Sequence, residues 1–236
     1  MSGFFPKPIK GTQNTEIIKR EIPNFLTDEL NIGVTYKVYG SVGSGNWSEI
    51  PWIGILDKSI TTSTTKGYYI VLLLDKNLEN IYLGLSVGWT QFEEEFGIKE
   101  GKIKIRGLCE HYARLLENKP IGFQEGIIDL DAENNLGKGY ERGAILSKKY
   151  SISELTDEIL IEDLKVLLNS YEELKQIVGN SILNLEIDFS EYDQKAKEFK
   201  KEIAAASLRE DTDESLEELI EKANEATPEV RTKLRN

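Results

Sequence analysis

The segment that most constrains the fold runs from Asn80 to Val87. Ile81, Leu83, Leu85 and Val87 alternate with Tyr82, Gly84 and Ser86, the two-residue period of a strand with one buried face. Upstream, the apolar run Tyr68–Leu74 is separated from it only by Asp75–Asn80, too short for the dozen or more residues of a parallel return. The two runs therefore pair antiparallel. Thr35–Tyr39 and Trp52–Leu56 have the same β-branched, aromatic and aliphatic texture and are set apart by Gly, Asn, Ser and Asp. An all-parallel α/β fold is disfavoured, and a small, mostly antiparallel, curved sheet of about four strands is expected.

After Phe92 the period turns helical. Ile105, Leu108, Tyr112, Leu115 and Leu116 share a face between Ile103 and Asn118. A glycine-containing stretch, Pro120 to Gly143, separates this helix from a second over Ser151–Val178. There Leu160, Leu164, Leu167, Tyr171, Leu174 and Val178 recur at helical spacing, with Thr156 as N-cap and Gly179 as stop. The fold class is thus α+β, a sheet packed by helices. Residues 1–184 are expected to form one domain and residues 185–236 a charged, helical, acidic extension toward an effector module that is not in this chain. In the extension Tyr192, Ala196, Phe199 and Ile203 make a thin heptad-like stripe.

Composition narrows the class. At 39% hydrophobic and 30% charged the chain has material for a core, and its longest apolar run is far short of the ~20 residues of a membrane helix. A cytoplasmic protein is expected. The single cysteine, Cys109, makes no intrachain disulfide, and the single histidine, His111, supplies no histidine-rich metal site, so neither metal nor organic cofactor is expected. The net charge of -12 is unevenly spread: residues 1–150 hold 18 Lys+Arg against 19 Asp+Glu, and residues 151–236 hold 11 against 22. The near-neutral front leaves room for a local basic face, with Lys37, Lys66, Lys102, Lys104 and Arg106 as candidate phosphate contacts.

The most unusual segment joins two of the strands. In Gly40–Trp52 the glycines at 40, 43 and 45 permit positive φ or a close backbone approach, as a plain hairpin or a loop lying on nucleic acid would use. A dinucleotide or phosphate-binding loop fails on context, because Pro51 and a strand follow rather than a helix. In the next strand Trp52, Gly54 and Leu56 point one way, and in the third Tyr69, Val71 and Leu73 share a face. A large aromatic beside an absent side chain leaves a slot of the kind a flipped-out base occupies, and the same residues suit an ordinary core equally well.

Tyr36 to Thr90, with Gly-Ser-x-Gly-x-Gly-Asn-Trp, Ile-Pro-Trp-Ile, Ile-Thr-Thr-Ser, Lys-Gly-Tyr-Tyr and Ile-Tyr-Leu-Gly-Leu in order, resembles the N-terminal DNA-recognition domain of McrB-type modification-dependent restriction enzymes. The likeness continues through Gly139-Tyr140-Glu141 and Leu160–Leu174, over about residues 25–180. It implies an α+β domain that binds double-stranded DNA carrying a modified cytosine and flips that base into an aromatic pocket. Cleavage and any motor would lie on another domain or subunit. Carried over to this chain, the pocket is Trp52, Tyr69 and Leu73, and the loop on the DNA is Gly43, Ser44, Gly45, Asn46 and Trp47. At the loop tip the best-known member has a wedging tyrosine where this chain has Ser44. Either Trp47 or another loop is then the wedge, or the domain reads another modification, or no base is extruded.

Two further classes remain. Asp129 with Asp131, and Asp188 with Glu198 and Lys200, imitate a metal-dependent nuclease. Yet Glu198 and Lys200 stand two apart on a charged helix and do not face each other, and Asp129 and Asp131 read as a polar loop. Cys109 and His111, also two apart, do not make a nucleophile–base pair. A protein-interaction module would work through the Tyr192–Ile203 stripe.

Overall fold

The structure, a computed structural model, describes residues 15–43 and 47–180. All of them belong to the first of two units into which the chain divides, Met1–Glu186. The Tyr192–Ile203 stripe, Asp188, Glu198, Lys200 and the loop tip Ser44, Gly45 and Asn46 lie outside the described residues.

Five strands form an open antiparallel sheet in sequential order: β1 Tyr36–Ser41, β2 Trp52–Asp57, β3 Tyr68–Leu74, β4 Asn80–Val87 and β5 Ala144–Ser151. The first four are the expected ones, and the fifth is additional. Its Ala-Ile-Leu-Ser-Lys-Lys-Tyr-Ser sequence lacks clean alternation, and its Lys148 faces inward, where Asp163 receives the ammonium at 2.6 Å. A strand that pairs a half-buried lysine with the helix behind the sheet does not show the period of one with a polar outer face.

Antiparallel partners share a face, so the register sorts the sheet into two sides. On the back, Ile53, Ile55, Ile70, Leu72, Ile81, Leu83 and Leu85 are fully buried. Two helices cover them: α2, Thr90–Leu115, and α4, Asp157–Val178, whose Tyr112 and Tyr171 set their rings edge-on to Tyr68 at 6.0 and 5.6 Å. A shorter helix, α1 Ile22–Leu30, entered through a π-helical turn at Ile17–Glu21, packs on β1 and α4. In α4 Thr156 accepts from the Ile159 N–H and Gly179 ends the helix at φ 73°. The helix begins six residues after Ser151, because β5 and a turn occupy that span. Helix α2 starts well before Ile103 and bends at Gly97.

The front face is covered too, although only one face was expected to be. Ile128 and Leu130 lie over Leu56, Tyr69, Val71, Leu73 and Tyr82, and Tyr140, from the short helix α3 Asn135–Arg142, joins them. The segment between α2 and β5, read from sequence as connecting chain, thus folds back as a second layer. It is tied down by backbone bonds from Lys76 to Leu130, Ile128 to Glu141 and Gln124 to Ser147.

Candidate functional site

A row of small residues crosses the middle of the front face: Gly54, Val71, Gly84 and Ser147 stand opposite one another on β2 to β5. The row on one side carries Trp52, Leu73 and Tyr82, and in the row on the other Tyr69 stands opposite Ser86. Leu73 and Tyr69 are four residues apart on β3, about 13 Å of strand. A low row between high rows is a trough.

Part of this trough is open to solvent as a slot lined by Trp52, Thr64, Tyr69, Val71, Leu73, Ser86, Val87 and Tyr140. It holds about 280 Å³ of atom-free space, counting the part that merges with solvent. At its centre it admits about one water molecule. Trp52 is half-buried at the mouth, whereas Tyr69 and Leu73 are 3% and 4% exposed in the walls. Tyr39 steadies Trp52 edge-on, with ring centroids 5.2 Å apart. Across the opening, the Trp52 indole N–H faces the Tyr140 hydroxyl. Burial pushes that hydroxyl up to about 12 even though the indole pulls it down, and burial drives the Tyr69 phenol well above its ordinary value. Every lining side chain is therefore uncharged at neutral pH, a surface for a flat, neutral, polarisable group rather than for a phosphate.

Loops from both sides hold the slot. Thr64, in the β2–β3 loop, receives the Tyr69 hydroxyl on its carbonyl at 2.7 Å and gives its N–H to the Tyr39 hydroxyl at 3.1 Å. Lys37 donates to the Thr62 carbonyl at 2.8 Å and lies 4.2 Å over the Tyr39 ring. In the glycine hairpin the Ser48 N–H bonds the Val42 carbonyl at 2.6 Å, and Gly43 has φ 98°. Glu49 then crosses to the start of α3, accepting from the Glu133 and Asn134 N–H groups at 2.9 and 3.1 Å. Hairpin and front layer thus move together.

Gly139-Tyr140-Glu141 has a distinct task at each position. A Cβ at Gly139 would sit 2.2 Å from Trp89 Cγ, so only glycine lets α3 lie flat on that indole. Tyr140 then reaches the slot. The Glu141 carboxylate, pushed up by burial against the bonds it accepts from Ala132 and Leu130, holds the 128–132 chain.

The match of the family model described as MrcB-like, N-terminal domain spans residues 6–176. The chain belongs to the MrcB-like N-terminal domain family. No curated protein matches it. Membership makes this a DNA-binding specificity module of restriction type, with no catalysis in the domain itself.

Within this MrcB-like domain the sequence candidates fall into two groups. Lys37 and Lys66 are exposed on the slot side, Lys37 bonded to the Thr64 loop and Lys66 within it. Lys102, Lys104 and Arg106 ride on α2, which packs on the back of the sheet. Arg106 corrects the expectation for its position. It is 6% exposed and its Nη1 donates to the Arg142 and Ala144 carbonyls at 3.3 and 2.8 Å, so it braces the backbone inside the core. Lys104 is 8% exposed, paired with Glu100 at 3.3 Å and lying over the Phe96 ring, and it too departs from the expected solvent-facing role. Trp47 is half-buried beyond the hairpin tip. The sequence reading named neither Thr64, Ser86 nor Tyr140 as a slot residue; only the Gly139-Tyr140-Glu141 motif pointed toward the last.

The residues of the enzyme alternatives are separately engaged. Asp129 accepts from the Asp131 N–H at 3.0 Å, and Asn77 donates to Asp131. Cys109 is fully buried, donates to the Gly143 carbonyl and is pushed up to about 12 by burial. Among the described residues no group of His, Cys, Asp and Glu could hold a metal ion, and no helix is long and apolar enough to cross a membrane.

Proposed function

We propose that this domain reads double-stranded DNA for a modified base, a 5-methyl- or 5-hydroxymethylcytosine, received in the Trp52–Tyr69–Leu73 slot. It would thereby direct a nuclease or motor–nuclease module, in cis or in trans, to modified foreign DNA. The single observation that carries this reading is the uncharged, aromatic-walled slot opening on the front face, with Tyr140 opposite Trp52 in its lining. An extruded base loses its stacking and regains it between aromatic and apolar walls. Because the centre of the slot admits only about one water, a pyrimidine would enter as a lining ring, here assigned to Tyr140, swings outward.

The Gly43–Trp47 loop would lie against the duplex, and Lys37 and Lys66 would meet its backbone. Ser44 is too small to fill a vacated stack, so Trp47, the loop's aromatic, is assigned the wedge. The deciding experiment is a titration with matched duplexes that are unmodified, 5-methylated or 5-hydroxymethylated at one cytosine, or methylated at adenine. Wild-type protein should prefer a modified cytosine, and Trp52→Ala should erase at least tenfold of that preference while sparing nonspecific binding. Equal losses on modified and unmodified DNA would remove the slot from recognition.

A further inference from the structure

Four buried side-chain atoms among the described residues lack a hydrogen-bond partner: Ser86 Oγ, Trp89 Nε1, Arg106 Nη2 and Tyr112 Oη. Of these residues only Ser86 lines the slot. Of the other polar groups there, the Tyr69 hydroxyl bonds the Thr64 carbonyl, the Thr64 hydroxyl meets that of Tyr39 at 3.4 Å, and the Trp52 indole faces Tyr140. Two features aim Ser86 at this place. It stands opposite Tyr69 on the front face, and its Oγ lies 3.5 Å from where a Gly84 Cβ would be, on the side of β4 that faces the slot. The β4–β5 register also slips beside it, the extra residue being Ile145 on β5.

A buried hydroxyl without a partner is destabilising, and native proteins keep few of them. A base taken from its duplex has the complementary need, since its pairing edge arrives with donors and acceptors unmet. We infer that Ser86 is a specificity-determining residue whose Oγ bonds the polar edge of the base in the slot. The inference rests on the function proposed above and adds the group that recognises the edge, where the aromatic walls recognise only the ring.

The test uses the full chain, with Ser86→Ala and the near-isosteric, weaker hydrogen-bonding Ser86→Cys. Both should bind a duplex with one 5-methylcytosine about 2–10-fold more weakly than wild type. Both should match wild type on unmodified DNA and on a duplex with an abasic target site. Free Ser86→Ala should melt roughly 2–4 °C higher, because the orphaned hydroxyl is gone. Weaker binding with greater stability is a combination that a merely structural serine does not give. If wild type prefers the methylated duplex and the variants bind all three duplexes as wild type does, Ser86 is not the contact and the slot stands. If wild type shows no preference for any modified duplex, the proposed function falls and this inference with it.

Discussion

Trp52 turns its indole N–H toward the hydroxyl of Tyr140, so that the second strand of the sheet and the short helix Asn135–Arg142 meet across the slot. The pair narrows the mouth of the slot. A protein whose binding-competent form is the open one loses apparent affinity in proportion to the closed population. Tyr140→Phe, which keeps the ring and removes the hydroxyl that faces Trp52, should therefore bind a 5-methylcytosine duplex as tightly as wild type or up to about tenfold more tightly. Tyr140→Ala, which removes the ring, should bind at least tenfold more weakly. The reverse order in fluorescence titrations would show that Tyr140 is no gate.

Gly139 determines where Tyr140 stands. An added Cβ would meet the Trp89 ring at 2.2 Å, and that ring is fully buried with no room to retreat. Gly139→Ala should lower stability by about 1–3 kcal/mol and weaken modified-duplex binding together, as thermal melts and titrations on the same protein would show. Unchanged binding in the folded variant would separate the motif from the slot.

The domain should lose stability in acid through Asp57, which is 1% exposed on the back of the sheet. Burial would push its carboxyl up, but bonds from Lys175 Nζ at 2.5 Å and from the Ser59 hydroxyl and N–H at 2.6 and 2.7 Å outweigh it and hold the carboxyl below its ordinary value. The folded state then binds the proton less well than the unfolded chain. This contribution is present in full above the unfolded carboxyl value, about pH 4, and is lost as pH falls through the folded one. Lys175→Met should cost roughly 1.5–3 kcal/mol at neutral pH and start its acid transition at higher pH. Melting curves that stay parallel from pH 7 to pH 3 would contradict the pairing.

Binding should weaken as salt rises, because phosphate contacts release counterions. Lys37→Gln and Lys66→Gln should each reduce the slope of log K against log salt by about one, on modified and unmodified duplexes alike. Lys104→Gln and Arg106→Gln should leave the slope unchanged, with Arg106→Gln also lowering the melting temperature. A slope change at Arg106 with none at Lys37 would place the DNA on the other side of the sheet.

What could be read from sequence was what neighbours along the chain decide. The alternation of β4, the Thr156 cap and the Gly179 stop are local, and the parity of Trp52, Tyr69 and Leu73 followed once their strands were recognised. The fifth strand was hidden because Lys148 and Lys149 find their partners far away, in Asp163 and over the Tyr82 ring. Arg106 read as a candidate phosphate contact until the carbonyls of Arg142 and Ala144 were placed opposite it. Ser86 sat on the polar side of an alternating strand, which reads as solvent until the 128–140 segment is known to cover that side. Tyr140 belongs to the slot only through tertiary return of the chain.

The trough between the bulky rows bears on how such a domain changes its taste. Two of its floor positions, Gly54 and Gly84, are already stripped to the backbone, so no substitution there can deepen it, and any new side chain makes it shallower. Room for a bulkier adduct on the base has to come from the rim. Relatives that accept larger marks should therefore differ at the counterparts of Trp52, Leu73 and Tyr140 while keeping both glycines.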